Sequence, residues 1–268
     1  MTVARESAKN GRRTCQRRRV DGFVPIAVTV LVCTSFAHAA EPVLTGNAIL
    51  EKGKKLYSQG NEELVIRHFF QDRRGGFFLD VGAYHWKKAS TTLYLEDHLG
   101  WSGIAIDAQR TYAKGYAKHR PRTRFFAYLV SDKSGGSETL YEAGPLSSTD
   151  PTHLDVFQSH PDRFPGADKI ESKPMQVRTV TLDQLLTAEK VEKIDFLSMD
   201  IEGSEPPALR GFDIERYRPD LVCIEVSLRT ADKIAPYFEE HGYERIMDYE
   251  KYDAVNWYYR PKKPAEPN

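Results

Sequence analysis

The chain has 268 residues, room for one large domain or two small ones. Its 38 Lys and Arg balance 38 Asp and Glu, but the first 40 residues hold seven basic and two acidic side chains, leaving 31 basic and 36 acidic for the rest. A folded part near −5 lacks the clustered cations that neutralise phosphates, which argues against a nucleic-acid partner.

The N-terminal segment reads first. Residues 1–19 are polar and basic, ending in Arg17, Arg18 and Arg19; an apolar stretch runs from Phe23 to Ala37, and Ala37-His38-Ala39 has the form of a signal-peptidase site. That order predicts an export signal over residues 1–40, hence a periplasmic or extracellular protein. The alternative is an uncleaved anchor, although the apolar stretch falls short of the roughly 20 residues that span a bilayer as a helix. Cys15 and Cys33 lie in this segment, so a processed chain keeps Cys223 alone, without a disulfide partner. No Cys/His spacing suggests a metal site.

A helical lead-in over 41–74 is expected next, with a helix from Asn61 as N-cap to about Arg73, ended by Gly75-Gly76. The main domain then spans 75–268. Phe77 to Val81 is a short apolar run, as in a strand buried on both faces. Helix 89–99, strand 103–107, helix 110–119 and strand 124–130 follow. Residues 134–174 are rich in Gly, Ser, Pro and Asp, with a short hairpin near 138–142, and form an insertion over one end of the sheet. Regularity returns with strand 175–181, a helix capped by Asp183, strand 194–201, a helix from Glu205, strand 221–226, helix 230–241, and two strands near 243–249 and 254–260. Alternating strands and helices imply an α/β fold, a mainly parallel sheet with helices on both faces; the adjacent final strands suggest an antiparallel edge.

Three stretches carry chemistry. In Phe77–Ala83, Asp80 ends a buried strand and Gly82 would let backbone approach a ligand. Asp107 ends the next strand, where an acidic residue is placed to bind ribose hydroxyls. The phosphate-cradling G-x-G-x-x-G is absent, since Ala83, Tyr84, His85 and Trp86 follow Gly82. The nucleoside is therefore one without a pyrophosphate, such as S-adenosylmethionine, which leaves a nucleotide-dependent oxidoreductase as a weak rival. The third stretch, Ile194–Glu205, gathers Asp200, Glu202 and Glu205 at a strand end; Asp200 points into the crevice, and Glu205 reads equally as a helix cap.

These stretches resemble the FkbM family of S-adenosylmethionine-dependent methyltransferases. The matching blocks are FFLDVGA (77–83), GWSGIAIDA (100–108), VRTVTLDQLL (177–186), KIDFLSMDIEGSE (193–205), ALRGFD (208–213) and RPDLVCIEV (218–226), in family order. The resemblance implies a Rossmann-like class I methyltransferase fold with a seven-stranded sheet. It implies Asp80, Gly82 and Ala83 at the cofactor loop, Asp107 at the ribose, and Asp200 and Glu202 near the methionine moiety and acceptor. It also implies O-methylation of a sugar or small-molecule hydroxyl. Two departures are Trp86, where many members carry glycine, and Ser90-Thr91-Thr92 in place of Ser-Asn-Thr.

Methyl transfer from a sulfonium is an in-line displacement, and a hydroxyl acceptor benefits from a base. Asp200 or Glu202 is expected to fill that role, with Glu225 and His85 as further candidates. Trp257, Tyr258 and Tyr259 read as strand packing rather than an acceptor platform. The rival from another class is a catalytically degenerate binding protein on the same fold, motivated by export away from the cytoplasmic cofactor supply.

Overall fold

The computed structural model describes residues 44–263; the expected signal or anchor over 1–40 lies outside the described residues. No helix among them is long and apolar enough to cross a membrane. Seven strands form the main sheet: β1 (Phe77–Val81), β2 (Ser102–Asp107), β3 (Thr123–Ala127), β7 (Phe196–Met199), β8 (Leu221–Glu225), β9 (Tyr243–Arg245) and β10 (Asn256–Pro261), in the order β3-β2-β1-β7-β8-β10-β9. The first five are parallel, and β10 runs antiparallel to both its neighbours. Three strands between β3 and β7, namely β4 (Leu129–Val130), β5 (Ser137–Glu142) and β6 (Lys173–Val180), make a separate small sheet, β4-β6-β5.

Successive side chains of a strand point to opposite faces, and both faces are covered. Leu79, Val81, Leu197 and Met199 pack with α6 (Leu182–Ala188), α7 (Glu205–Arg210) and α9 (Ala231–Glu240). Phe78 and Phe196 pack with Val65, Ile66 and Phe70 of α2 (Glu62–Phe70), with Leu95 and Leu99 of α3 (Leu93–Leu99), and with Trp101. α4 (Ala113–His119) buries Tyr116 against Ala105 and Ala83. Burial on both faces is why the central strands read as unbroken apolar runs.

Several boundaries differ from expectation. The strand expected over 124–130 is cut in two, because its last residues leave the main sheet to pair with β6. The strand expected at 175–181 is likewise part of the small sheet, and the hairpin residues 137–142 pair with it across the whole insertion. Thr181, not Asp183, caps α6: its hydroxyl accepts the Gln184 N–H, while Asp183 accepts the N–H of Asp213. Asn61 does not cap α2; its side chain donates to the carbonyl of Tyr252. The helix expected from residue 89 begins at Leu93, because residues 84–92 form a loop in which Tyr84 and Ala89 have positive φ.

Candidate active site

Parity places the acidic tips on one side of the sheet. Asp80 pairs in register with Ala105 on β2 and Ser198 on β7. Asp107 and Asp200 each stand two residues beyond those partners, so all three fall on the Phe78 face at the carboxyl ends of adjacent strands. They line one cavity of about 300 Å³, with Gly82, Ala83, Glu202 and Ser204. Ile106, Ala108, Val130 and Leu140 supply apolar walls, and among the described residues the lining contains no Lys, Arg or His.

Asp80 is buried and accepts the Thr92 hydroxyl at 2.7 Å. Thr92 in turn accepts from Arg120 Nη2 at 3.2 Å, and Arg120, wholly buried, pairs with Glu96. Arg120 also donates to the carbonyl of Trp86 and to Ser90 Oγ, so one guanidinium ties the loop after β1 to α3 and to the end of α4. Burial pushes the Asp80 carboxyl up to about 6, against the Thr92 hydrogen bond and the charge of Arg120. Asp107 spends one oxygen on the Tyr84 N–H at 2.8 Å and the other on the Gln109 N–H at 2.7 Å; burial raises it too to about 6, against those two bonds. Two lone pairs remain on these oxygens for ligand hydroxyls.

Gly82 differs from expectation. It lines the cavity, but its φ of 86° and a close approach to the chain explain the glycine: a Cβ there would sit 1.7 Å from the Asp200 carbonyl oxygen. The absent side chain makes room for protein backbone, and Ala83 beside it accepts the buried Tyr116 hydroxyl on its carbonyl.

The β7 end brings Glu225, the further base candidate, together with Asp200 and Glu202. Oxygens of Asp200, Glu202 and Glu225 lie within 4.8 Å of one another, giving the three-ligand geometry a cation would need. Asp200 is exposed and lines the cavity, and desolvation by the protein packed around its carboxyl, then the charge of Glu225, hold it well above the ordinary range. Burial raises Glu225 likewise. Glu205 faces inward, accepting the N–H groups of Ile201 and Gly203 at 3.0 and 3.2 Å, and so fastens the turn.

Glu202 sits in that turn with φ 54°, a conformation a non-glycine residue rarely adopts. Its carbonyl accepts Ser148 Oγ, and its carboxylate stands 2.8 Å from His153 Nε2. His153 opens α5 (His153–Gln158) inside the insertion, and no local pattern marked it. Next to it, Thr149 pairs with Ser204, and Asp150 meets Arg229 at 2.6 Å. The insertion is thus bonded to the loops after β7 and β8. His85 falls outside the cavity lining; its Nδ1 accepts the N–H groups of Lys87 and Lys88. Trp86 also turns away, stacking on His119 at 4.1 Å and lying over Gly115. Tyr258 and Tyr259 are buried in the sheet and Trp257 packs under Arg245.

A mainly parallel sheet with this strand order, and an acidic cavity at its carboxyl edge, fit a class I S-adenosylmethionine-dependent methyltransferase. The model of the FkbM methyltransferase domain matches residues 80–245, and the chain belongs to that family. S-adenosylmethionine is its cofactor. The residues present fit that group: carboxylates for an amine and a ribose, an apolar wall for a base, and no cation for a phosphate. No curated protein matches the sequence. Solved structures similar to the chain include a TehB-like SAM-dependent methyltransferase from Corynebacterium glutamicum, at 13% identity and TM-score 0.43, covering 81% of this chain and 94% of that one. Another is a SAM-dependent O-methyltransferase from Thermotoga maritima, at 8% identity and TM-score 0.38, covering 82% and 72%. A third is a Burkholderia thailandensis 1,6-didemethyltoxoflavin-N1-methyltransferase with bound S-adenosylhomocysteine, at 11% identity and TM-score 0.37, covering 75% and 77%.

Proposed function

We propose that this methyltransferase methylates a hydroxyl of a sugar or another small molecule, with Glu202 taking the hydroxyl proton. The observation that carries the assignment is the fixed Glu202 carboxylate, lining the cavity and held by His153 while its backbone is locked by Ser148 and by the Glu205-bound turn. Asp80 and Asp107 would bind the cofactor's amine and ribose, with Gly82 and Ala83 forming the floor between them. The cofactor supplies an electrophilic methyl carbon on a sulfonium that leaves as a neutral thioether.

Asp200, its carboxyl raised well above the ordinary range by burial and by the neighbouring Glu225 charge, holds a proton more readily than an ordinary carboxylate, so its role is to orient the acceptor oxygen. Glu202 then accepts the proton released as the oxygen–carbon bond forms. Positioning of the two reactants provides most of the rate. The basic, apolar, small-residue order of 1–39 supports an exported enzyme, or one anchored by that segment.

The test is transfer of tritiated methyl from S-adenosylmethionine to a panel of methyl glycosides and small alcohols. Label recovered in an alkali-stable ether supports the reading. Label recovered on an amine overturns the hydroxyl assignment, and cofactor binding with no transfer to any acceptor class supports a degenerate binding protein instead.

A further inference from the structure

One cavity-lining residue comes from outside the family match. Gln59 belongs to the lead-in, 21 residues before that match begins at residue 80, yet it faces the cavity beside Ala89 and Thr91. Its position is built rather than incidental. Ser58 forms a parallel bridge with Ala89 in the loop after β1. The buried Glu63 carboxylate accepts the N–H groups of Leu56 and Tyr57 at 3.0 and 2.9 Å, and Ser58 Oγ accepts the Glu63 N–H while donating to the Gly60 carbonyl. A carboxylate this deeply buried is spent on fixing the strap 56–60. Lys55 Nζ donates to the Gln59 carbonyl at 2.6 Å, and Gln59, an exposed residue, lines the cavity.

S-adenosylmethionine carries an α-carboxylate as well as cations, and the cavity presents it with Asp80, Asp107, Asp200 and Glu202 but no cationic side chain. A carboxylate there must be met by neutral donors. Several are committed elsewhere: Gln109 Nε2 donates to the Gly144 carbonyl and Ser147, and Thr149 pairs with Ser204. On the β1 side, next to the Asp80 carboxylate that suits the α-amine, the cavity presents Gln59, the Thr91 hydroxyl and the hydroxyl of Ser198, the β7 partner of Asp80; Gln59 carries the longest side chain of the three.

We propose that the strap 56–60 completes the cofactor site, and that the Gln59 carboxamide donates to the cofactor's α-carboxylate. The inference rests on the cavity being the S-adenosylmethionine site. It assigns a binding role to a segment preceding the family domain.

Two ligands separate the possibilities by calorimetry on the full chain. S-adenosylhomocysteine has the amino-acid end; 5′-methylthioadenosine keeps the nucleoside and thioether without it. Gln59→Ala is expected to weaken S-adenosylhomocysteine about tenfold, the loss of one hydrogen bond to a charged group, and to leave methylthioadenosine within about twofold. Gln59→Glu should weaken S-adenosylhomocysteine further, through repulsion of the carboxylate. Unchanged S-adenosylhomocysteine affinity in Gln59→Ala, or equal losses for both ligands, overturns the proposal while leaving the cavity assignment standing. A wild-type chain that binds neither ligand overturns the cavity assignment itself, and this proposal with it.

Discussion

Gly82 and Asp200 meet backbone to backbone: the α-carbon of one lies so near the carbonyl of the other that a methyl group on Gly82 would be placed 1.7 Å from the oxygen. The contact joins the loop after β1 to the loop after β7, and it sets the spacing of the two carboxylates that flank it. Gly82→Ala therefore has to separate these loops while also holding alanine at φ 86°. A loss of at least about 2 kcal/mol in unfolding stability is expected from the strain and the overpacking together. Urea denaturation measures it, and S-adenosylhomocysteine binding should fall in the same variant because the cavity floor shifts.

The two raised carboxyls predict a pH dependence with a definite sign. Asp80 and Asp107 both titrate near 6 in the folded chain, above the ordinary carboxylate range, chiefly through burial. Between about pH 4 and 6 the ligand-free fold binds more protons than the unfolded chain, so these groups make it less stable as pH rises through that window. Ligand binding runs the other way, because only the ionised forms pair with an amine or accept two ribose hydroxyls. S-adenosylhomocysteine affinity should drop about tenfold per group between pH 7 and pH 5, with proton uptake on release. Calorimetry in buffers of different ionisation enthalpy reports both quantities.

Arg120 predicts a stability effect that reaches the cavity. Arg120→Met leaves Glu96 buried with no cation and removes the donor that orients Thr92 toward Asp80. The expected cost is about 3–5 kcal/mol, characteristic of breaking a buried ion pair from one side. The double variant Arg120→Met with Glu96→Leu should recover much of that stability without restoring ligand affinity, since the Thr92–Asp80 arm remains unsupported.

How far the chain could be read in advance varied with the range of the interactions involved. The strands β1, β2 and β8 stood out because both faces are buried, and their terminal residues Asp80, Asp107 and Glu225 followed from strand position alone. Arg120 and His153 act through partners 24 and 49 residues away, the strap carrying Gln59 is bridged to the distant Ala89 through Ser58, and nothing in the neighbouring sequence signals that. Trp86, a departure from the usual glycine, is explained by a compensation equally distant in sequence: Gly115 on α4 leaves the space its ring occupies. The swap of Asp183 for Thr181 as cap arose because Thr-Leu-Asp offers two capping residues in one turn, and the demand of Asp213 for an acceptor decides between them.

Glu202 and His153 predict a split between binding and turnover. Once an acceptor is identified, Glu202→Gln should reduce kcat by about 10²–10⁴-fold, the usual worth of a general base, with cofactor affinity nearly unchanged. His153→Ala should reduce kcat less, through a looser Glu202, and His153→Gln should restore part of it by replacing the donor. Full turnover in Glu202→Gln would move the base role to Asp200.

Asp80, Asp107 and Asp200 are proposed to enclose the cofactor, and this arrangement is checked by titrating S-adenosylhomocysteine into the full chain and its Asp107→Ala variant. One binding site in the wild type, weakened by at least about tenfold when the two-fold acceptor of Asp107 is removed, is the predicted result. No binding to the wild type, or equal affinity in both proteins, would contradict it.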